Sequence, residues 1–210
     1  MVLNRYRDEA DKVLRPIAEK LSGLSPDLIS WIALIFAFLA GVLFFLSREP
    51  FYVLIAGIFV LLNSLFDALD GKIAKLTGKA SKRGDFLDHT LDRYADVFIL
   101  SGIALGPLSR TSIGLFAIIG VLLTSYMGTQ ADAVGVSRDY GGMAGRAERL
   151  VLLIMFSFLY FGFYGTGWTT FAIMEHELGL FELLMGWFGI AGNLTAIFRG
   201  LNTWSDLEEK

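Results

Sequence analysis

Residues 63–96 read NSLFDALDGKIAKLTGKASKRGDFLDHTLDRYAD and join two apolar runs, one ending near residue 69 and the next opening near residue 94. The stretch is too charged to lie in hydrocarbon, so it marks a turn at one membrane boundary. Asp67 and Asp70 are three apart at the end of the first run, and Asp88 and Asp92 are four apart at the start of the second. Those spacings put each pair on one face of a helix. The two helices are consecutive and antiparallel, so the four carboxylates can converge. Such a cluster repels itself without cations. Its oxygens suit hard divalent ions, Mg²⁺ or Mn²⁺, and no cysteine or histidine pattern points to zinc. The plainer reading is a solvated helix end paired with Lys72, Lys75 and Arg93. Gly71 and Gly84 weigh against it. A helical glycine costs about 1 kcal/mol relative to alanine, and two beside the acids suggest close approach by a ligand.

Further out, the apolar runs continue on both sides. Of 210 residues, 54% are hydrophobic and 19% charged, against about 25% charged in a soluble domain. The absence of cysteine excludes a disulfide scaffold, the apolar content excludes disorder, and a net charge of −3 leaves no general nucleic-acid footprint. Runs at about 28–46, 51–69, 94–109, 112–134, 150–167 and 178–198 are candidate spans, since about 20 apolar residues cross a bilayer. The third is the weakest, because its helix begins among charges. Lysine and arginine set the orientation. Five lie before the first run, six in the second connection, three in the fourth and two after the last run, so 16 of 18 share one side. By the positive-inside rule that side is cytoplasmic, which requires six spans and both termini inside. Upstream, Leu3, Tyr6, Ala10, Val13, Leu14, Ile17, Ala18 and Leu21 recur at helical spacing. The first 27 residues lack the apolar core of a signal peptide. The expected fold is all-α: an amphipathic interfacial helix in 1–26, a six-helix membrane bundle over 27–204, and a short cytoplasmic tail at 205–210.

The central pattern, Asp67-x2-Asp70-Gly71-x2-Ala74-Lys75-x8-Gly84-x3-Asp88-x3-Asp92, resembles the signature of the CDP-alcohol phosphotransferase family. Seven of eight fixed residues and every gap agree, with lysine in place of arginine at position 75. Lysine keeps the charge but loses the bidentate fork. The resemblance implies six transmembrane helices, a homodimer, and two divalent ions held by Asp67, Asp70, Asp88 and Asp92, with Asp92 as general base. It implies CDP-lipid contacts (CDP-diacylglycerol or CDP-archaeol) at Gly71, Lys75, Ser81 and Gly84. Ser25–Ser30 resembles the family's start of the first helix and adds Asp27 and Ser30.

The closing Arg146-Ala147-Glu148-Arg149 resembles the R-x-E-R segment of the phosphatidylinositol phosphate synthase branch, which uses 1L-myo-inositol 1-phosphate, and Gly128-Thr129-Gln130-Ala131 resembles its archaeal counterparts. The implied acceptor-phosphate partners are Arg146, Arg149, Arg199 and Gln130. The last stands where bacterial members of the branch carry lysine. Glycerol 3-phosphate, serine and free inositol are the alternative acceptors. A cation transporter, the alternative from another class, would place its acids near the midplane. Asp85 and Asp96 extend the acidic stripe as supporting groups or helix-end charges, and His89 points off the Asp88/Asp92 face. Asp132 and Glu148 read as arginine partners, His176 belongs to the outside loop, and Tyr160–Trp168 fits an interfacial aromatic belt.

Overall fold

Proline and serine punctuate the chain where its helices begin. The computed structural model describes residues 7–137, 142, 145–173 and 176–208. Leu3 and Tyr6 of the expected interfacial helix, and residues 209–210 of the expected tail, lie outside the described residues. Helix α1 (Arg7–Leu21) leads to α2 (Pro26–Phe45), where Ser25 Oγ accepts the Leu28 N–H and Pro26 opens the first turn. Then follow α3 (Pro50–Leu76), α4 (Lys82–Leu105), α5 (Thr111–Ala133), α6 (Arg146–Phe163) and α7 (Leu180–Glu208). Ser81 caps α4 through the Gly84 N–H at 3.1 Å.

The described chain is 81% helical. One departure is a two-stranded antiparallel hairpin, β1 (Thr170–Ile173) and β2 (His176–Gly179), in the segment expected to be a plain loop. A second is the C-terminus: α7 runs through Glu208, so residues 205–208 of the expected tail continue the helix. Of the six expected spans, four of the described helices, α2, α3, α5 and α7, are long and apolar enough to cross a membrane by length and composition. Among the remaining helices, α4 carries seven charged residues between Lys82 and Asp96, and α6 has 18 residues with Arg146, Glu148 and Arg149 in its first turn.

Burial follows membrane logic rather than soluble logic. On α2 the buried side is Ser30, Ala33, Ala37, Ala40 and Gly41, with Ile29 and Phe44, while Trp31, Ile35, Phe38 and Phe45 face outward. Small residues inside let backbones approach, where dispersion rather than expulsion of water holds helices together. A Cβ on Gly102 would collide with the Gly41 backbone of α2, and one on Gly192 of α7 with the Gly120 backbone of α5. In the α5–α7 seam Thr124 Oγ1 also donates to the Gly192 carbonyl at 2.8 Å. Helix α6 packs on α3, where a Cβ on Gly57 would collide with Ser157.

Helix α1 packs on α3 through Leu14, Ile17, Ala18 and Leu21, which meet Ile29, Leu65, Phe66, Leu69 and Ile73. Val13, on the expected apolar face, points outward instead. At the bundle end opposite residues 63–96, Glu182 of α7 is buried. It accepts from Arg110 Nε at 2.7 Å and from the Arg110 amide at 3.1 Å.

Candidate active site

The last turns of α3 and the first turns of α4 deliver the four aspartates, and a turn through Gly78 joins them. Gly78 has φ +66°, a left-handed backbone that glycine adopts without strain. One oxygen each from Asp67, Asp70 and Asp88 lie within 4.8 Å of one another, and ligand atoms of Asp88, His89 and Asp92 form a second such group. Asp88 belongs to both. The spacing argument therefore holds in three dimensions.

Ser30 Oγ donates to Asp70 Oδ2 at 2.5 Å and fixes this buried carboxylate. Burial pushes the Asp88 carboxyl above its ordinary range, and the nearby Asp67 adds to the shift. Burial raises Asp92 as well, with Arg146 pulling against it. In both, burial and the neighbouring acids penalise the charged form. A divalent cation would relieve that penalty, and the carboxylate oxygens fit Mg²⁺ or Mn²⁺, with the His89 imidazole in the second group. A cavity of about 10 Å³ lies among Asn63, Asp67, Asp70, Asp88, Asp92 and Arg146. That is close to one water-sized sphere.

A second cavity, of about 170 Å³, is bounded by α2, α3 and α4. Its wall contains Asp27, Ser30, Gly71, Lys75, Ser81 and Gly84, together with Asp70 and Asp88. All six residues expected to meet the CDP-lipid thus line one space that also reaches the acids. A Cβ on Gly71 would meet nothing within 4 Å and one on Gly84 only Ser81 Oγ at 3.5 Å, so neither glycine is required by helix packing. Their missing side chains leave room for a ligand. Lys79 lines the same wall and was not singled out by the motif.

The expected acceptor residues divide between two places. Arg146 reaches Asp67 Oδ2 at 2.7 Å and Asp92 Oδ1 at 2.9 Å, and Arg149 meets Asp96 Oδ2 at 2.9 Å. Arg199 of α7 instead donates to the Thr124 carbonyl of α5 at 2.8 Å, and Gln130 is exposed on the outer α5–α7 face.

Asp96 is a buried member of the cluster rather than a helix-end charge. Its position four after Asp92 was the available signal. Asn63 was overlooked: its amide donates to the Ala33 carbonyl at 2.9 Å, and its Oδ1, facing the small cavity, has no partner among the described residues. It precedes Asp67 by one helical turn. His89 Nδ1 lies 3.9 Å from Asp88 and Nε2 3.7 Å from Asp85, closer to the acids than its helical angle implied. Glu148 accepts from the Gly145 amide at 2.9 Å and so caps α6.

Archaetidylinositol phosphate synthase from Pyrococcus horikoshii is 40% identical over 77 residues, 37% of this chain and 41% of that enzyme. The match thus spans about two fifths of that relative's length. Phosphatidylinositol phosphate synthase from Cutibacterium acnes is 33% identical over 162 residues, 73% of this chain and 76% of the enzyme. The phosphatidylinositol phosphate synthase of Mycobacterium tuberculosis has a similar fold. Its structure with CDP-DAG bound gives a TM-score of 0.72 at 22% identity, covering 92% of this chain and 94% of that one. Its complex with manganese and citrate gives 0.73 at 22% identity, covering 91% and 88%. The family model for CDP-alcohol phosphatidyltransferase matches residues 24–191, which include all four aspartates and the walls of both cavities, and the chain belongs to that family.

Proposed function

We propose that the protein transfers a diacylglycerol- or archaeol-phosphate group from a CDP-lipid to a hydroxyl of 1L-myo-inositol 1-phosphate and releases CMP. The observation that carries this reading is the 170 Å³ cavity: the six motif residues line it and Asp70 and Asp88 form part of its wall. The inositol phosphate synthases among the relatives support the acceptor.

Asp67, Asp70, Asp88 and Asp92 would hold two Mg²⁺ or Mn²⁺ ions, a count supported by two ligand groups that share Asp88. When bound, the ions neutralise the diphosphate and stabilise CMP as leaving group. Lys75 places an ammonium on the cavity wall for the same diphosphate, and Gly71 lets the phosphates approach the backbone. Asp92 accepts the proton of the acceptor hydroxyl as that oxygen attacks the lipid-side phosphorus. The new P–O bond forms while the bond to CMP breaks, so no covalent enzyme intermediate is required.

The acceptor's own phosphate needs cations at the same end of the bundle. Arg149 of α6 and Arg199 of α7 remain candidates, with the uncharged Gln130 of α5 and with Arg146 at the start of α6. The active assembly in this reading is a homodimer crossing the membrane six times, with termini and site on the cytoplasmic side. There a soluble acceptor meets a membrane-anchored donor.

A CMP-release assay tests the proposal, with CDP-lipid, Mg²⁺ or Mn²⁺, and one acceptor at a time. Inositol 1-phosphate is expected to support turnover well above free inositol, glycerol 3-phosphate and serine. Turnover with free inositol and none with its phosphate would overturn the acceptor assignment.

A further inference from the structure

Arg146 begins α6, yet its side chain ends on the α3–α4 hairpin. Nη1 lies 2.7 Å from Asp67 Oδ2 and Nη2 2.9 Å from Asp92 Oδ1, while Nε lies 3.8 Å from Asp96 Oδ1. Asp67 belongs to α3 and Asp92 to α4, so no contact within one helix can set how the two carboxylates face each other. A guanidinium can, because Nη1 donates to Asp67 Oδ2 while Nη2 lies against Asp92 Oδ1 as an ion pair without hydrogen-bond geometry. Each aspartate gives one oxygen to these pairs: Asp67 Oδ1 and Asp92 Oδ2 stand outside them. Asp92 Oδ2 has a looser neighbour, Arg93 Nη2, at 3.6 Å.

The guanidinium is held in turn. Arg149, three residues on, pairs with Asp96 at 2.9 Å, so Asp96 anchors the same face of α6 to α4. Both arginine side chains are largely buried. Withdrawing Arg146 to meet an acceptor phosphate would leave two partly buried carboxylates without that charge partner.

We infer that Arg146 is a positioning residue for the metal carboxylates, clamping Asp67 and Asp92 from α6 in the mutual orientation that divalent cations require. The inference rests on the reading that these aspartates hold the ions, and it takes Arg146 out of the acceptor set. Carboxylates that ligate metal are themselves held by hydrogen bonds, and loss of such support typically lowers metal affinity by about 10–100-fold.

The test is a calorimetric Mn²⁺ titration of the purified full-length protein without CDP-lipid. Arg146→Gln is expected to weaken Mn²⁺ binding about 10–100-fold. Arg146→Lys should recover only part of the loss, because one ammonium cannot reproduce the fork. At saturating Mn²⁺, the KM for inositol 1-phosphate should stay near wild type in Arg146→Lys. Wild-type Mn²⁺ affinity in both variants, with a raised KM, would return Arg146 to the acceptor site and overturn the inference. Tighter Mn²⁺ binding would make the guanidinium a competitor of the ions and would equally overturn it. Full recovery by lysine would reduce the clamp to bare charge. If Arg146→Gln does not fold, Arg146→Lys decides the matter alone. Absence of CMP release by the wild type with every acceptor would sink the proposed function, while the titration still judges the clamp.

Discussion

The molecule uses arginine against carboxylate at both ends, with different stoichiometry. At one end Glu182 receives the Nε and amide of Arg110, so a single acid and a single base close on each other. At the other, five carboxylates (Asp67, Asp70, Asp88, Asp92 and Asp96) face Arg93, Arg146 and Arg149. A matched pair is a staple between α5 and α7. A surplus of buried negative charge is a place waiting for cations, since it costs energy to assemble without them. Charge balance, rather than the presence of ion pairs, separates the site from the scaffold.

The sharpest way to break the comparison is to remove the acid that both ligand groups share. Asp88→Asn is expected to lower CMP release by roughly 10³-fold or more. It should leave the melting temperature unchanged or raised, because it relieves repulsion. A large drop in melting temperature would instead make Asp88 a structural partner like Glu182. The mirror variant is Glu182→Gln, expected to destabilise by about 1–3 kcal/mol, less than a fully buried pair because Arg110 is half exposed. Its turnover per folded molecule should be unaltered. Loss of turnover at full stability would deny the division between staple and site.

Glycine sharpens the same contrast. Gly192→Ala would force a Cβ into the Gly120 backbone and should cost roughly 1–3 kcal/mol in thermal unfolding. Gly71→Ala meets open space, so stability should hold while the KM for CDP-lipid rises. An unchanged KM there would remove the ligand from that wall. The smallest effect expected is from Lys75→Arg. Restoring the fork common in the family should lower the KM for CDP-lipid by a few-fold, about 1 kcal/mol in phosphate contact.

The aspartates were legible because their evidence is local: spacings of three and four, helical periodicity and one turn bring Asp67, Asp70, Asp88 and Asp92 together with little help from the rest of the fold. Asp96 and Asn63 lay on the same periodic stripe and could have been read with them. The role of Arg146 could not. It touches Asp67 across 79 positions, and its neighbours in sequence suggested an anion site instead. Strand content at residues 170–179 was equally hidden, since a hairpin of four-residue strands leaves little periodic signal.

Sequence alone determined which helix ends carry the acids and which glycines lack a packing partner nearby in the chain. Those features follow from composition and from helical repeats of a few residues. Tertiary structure decided which arginine serves which acid. Helix α6 can approach α3 because Gly57 leaves room for Ser157. From that contact Asp67 lies ten residues along α3, and Arg146 eleven back along α6. At 1.5 Å per residue both reach about 15 Å toward the same end. The antiparallel register between two helices far apart in the chain thus sets the guanidinium on the carboxylates, and no spacing within either helix encodes it.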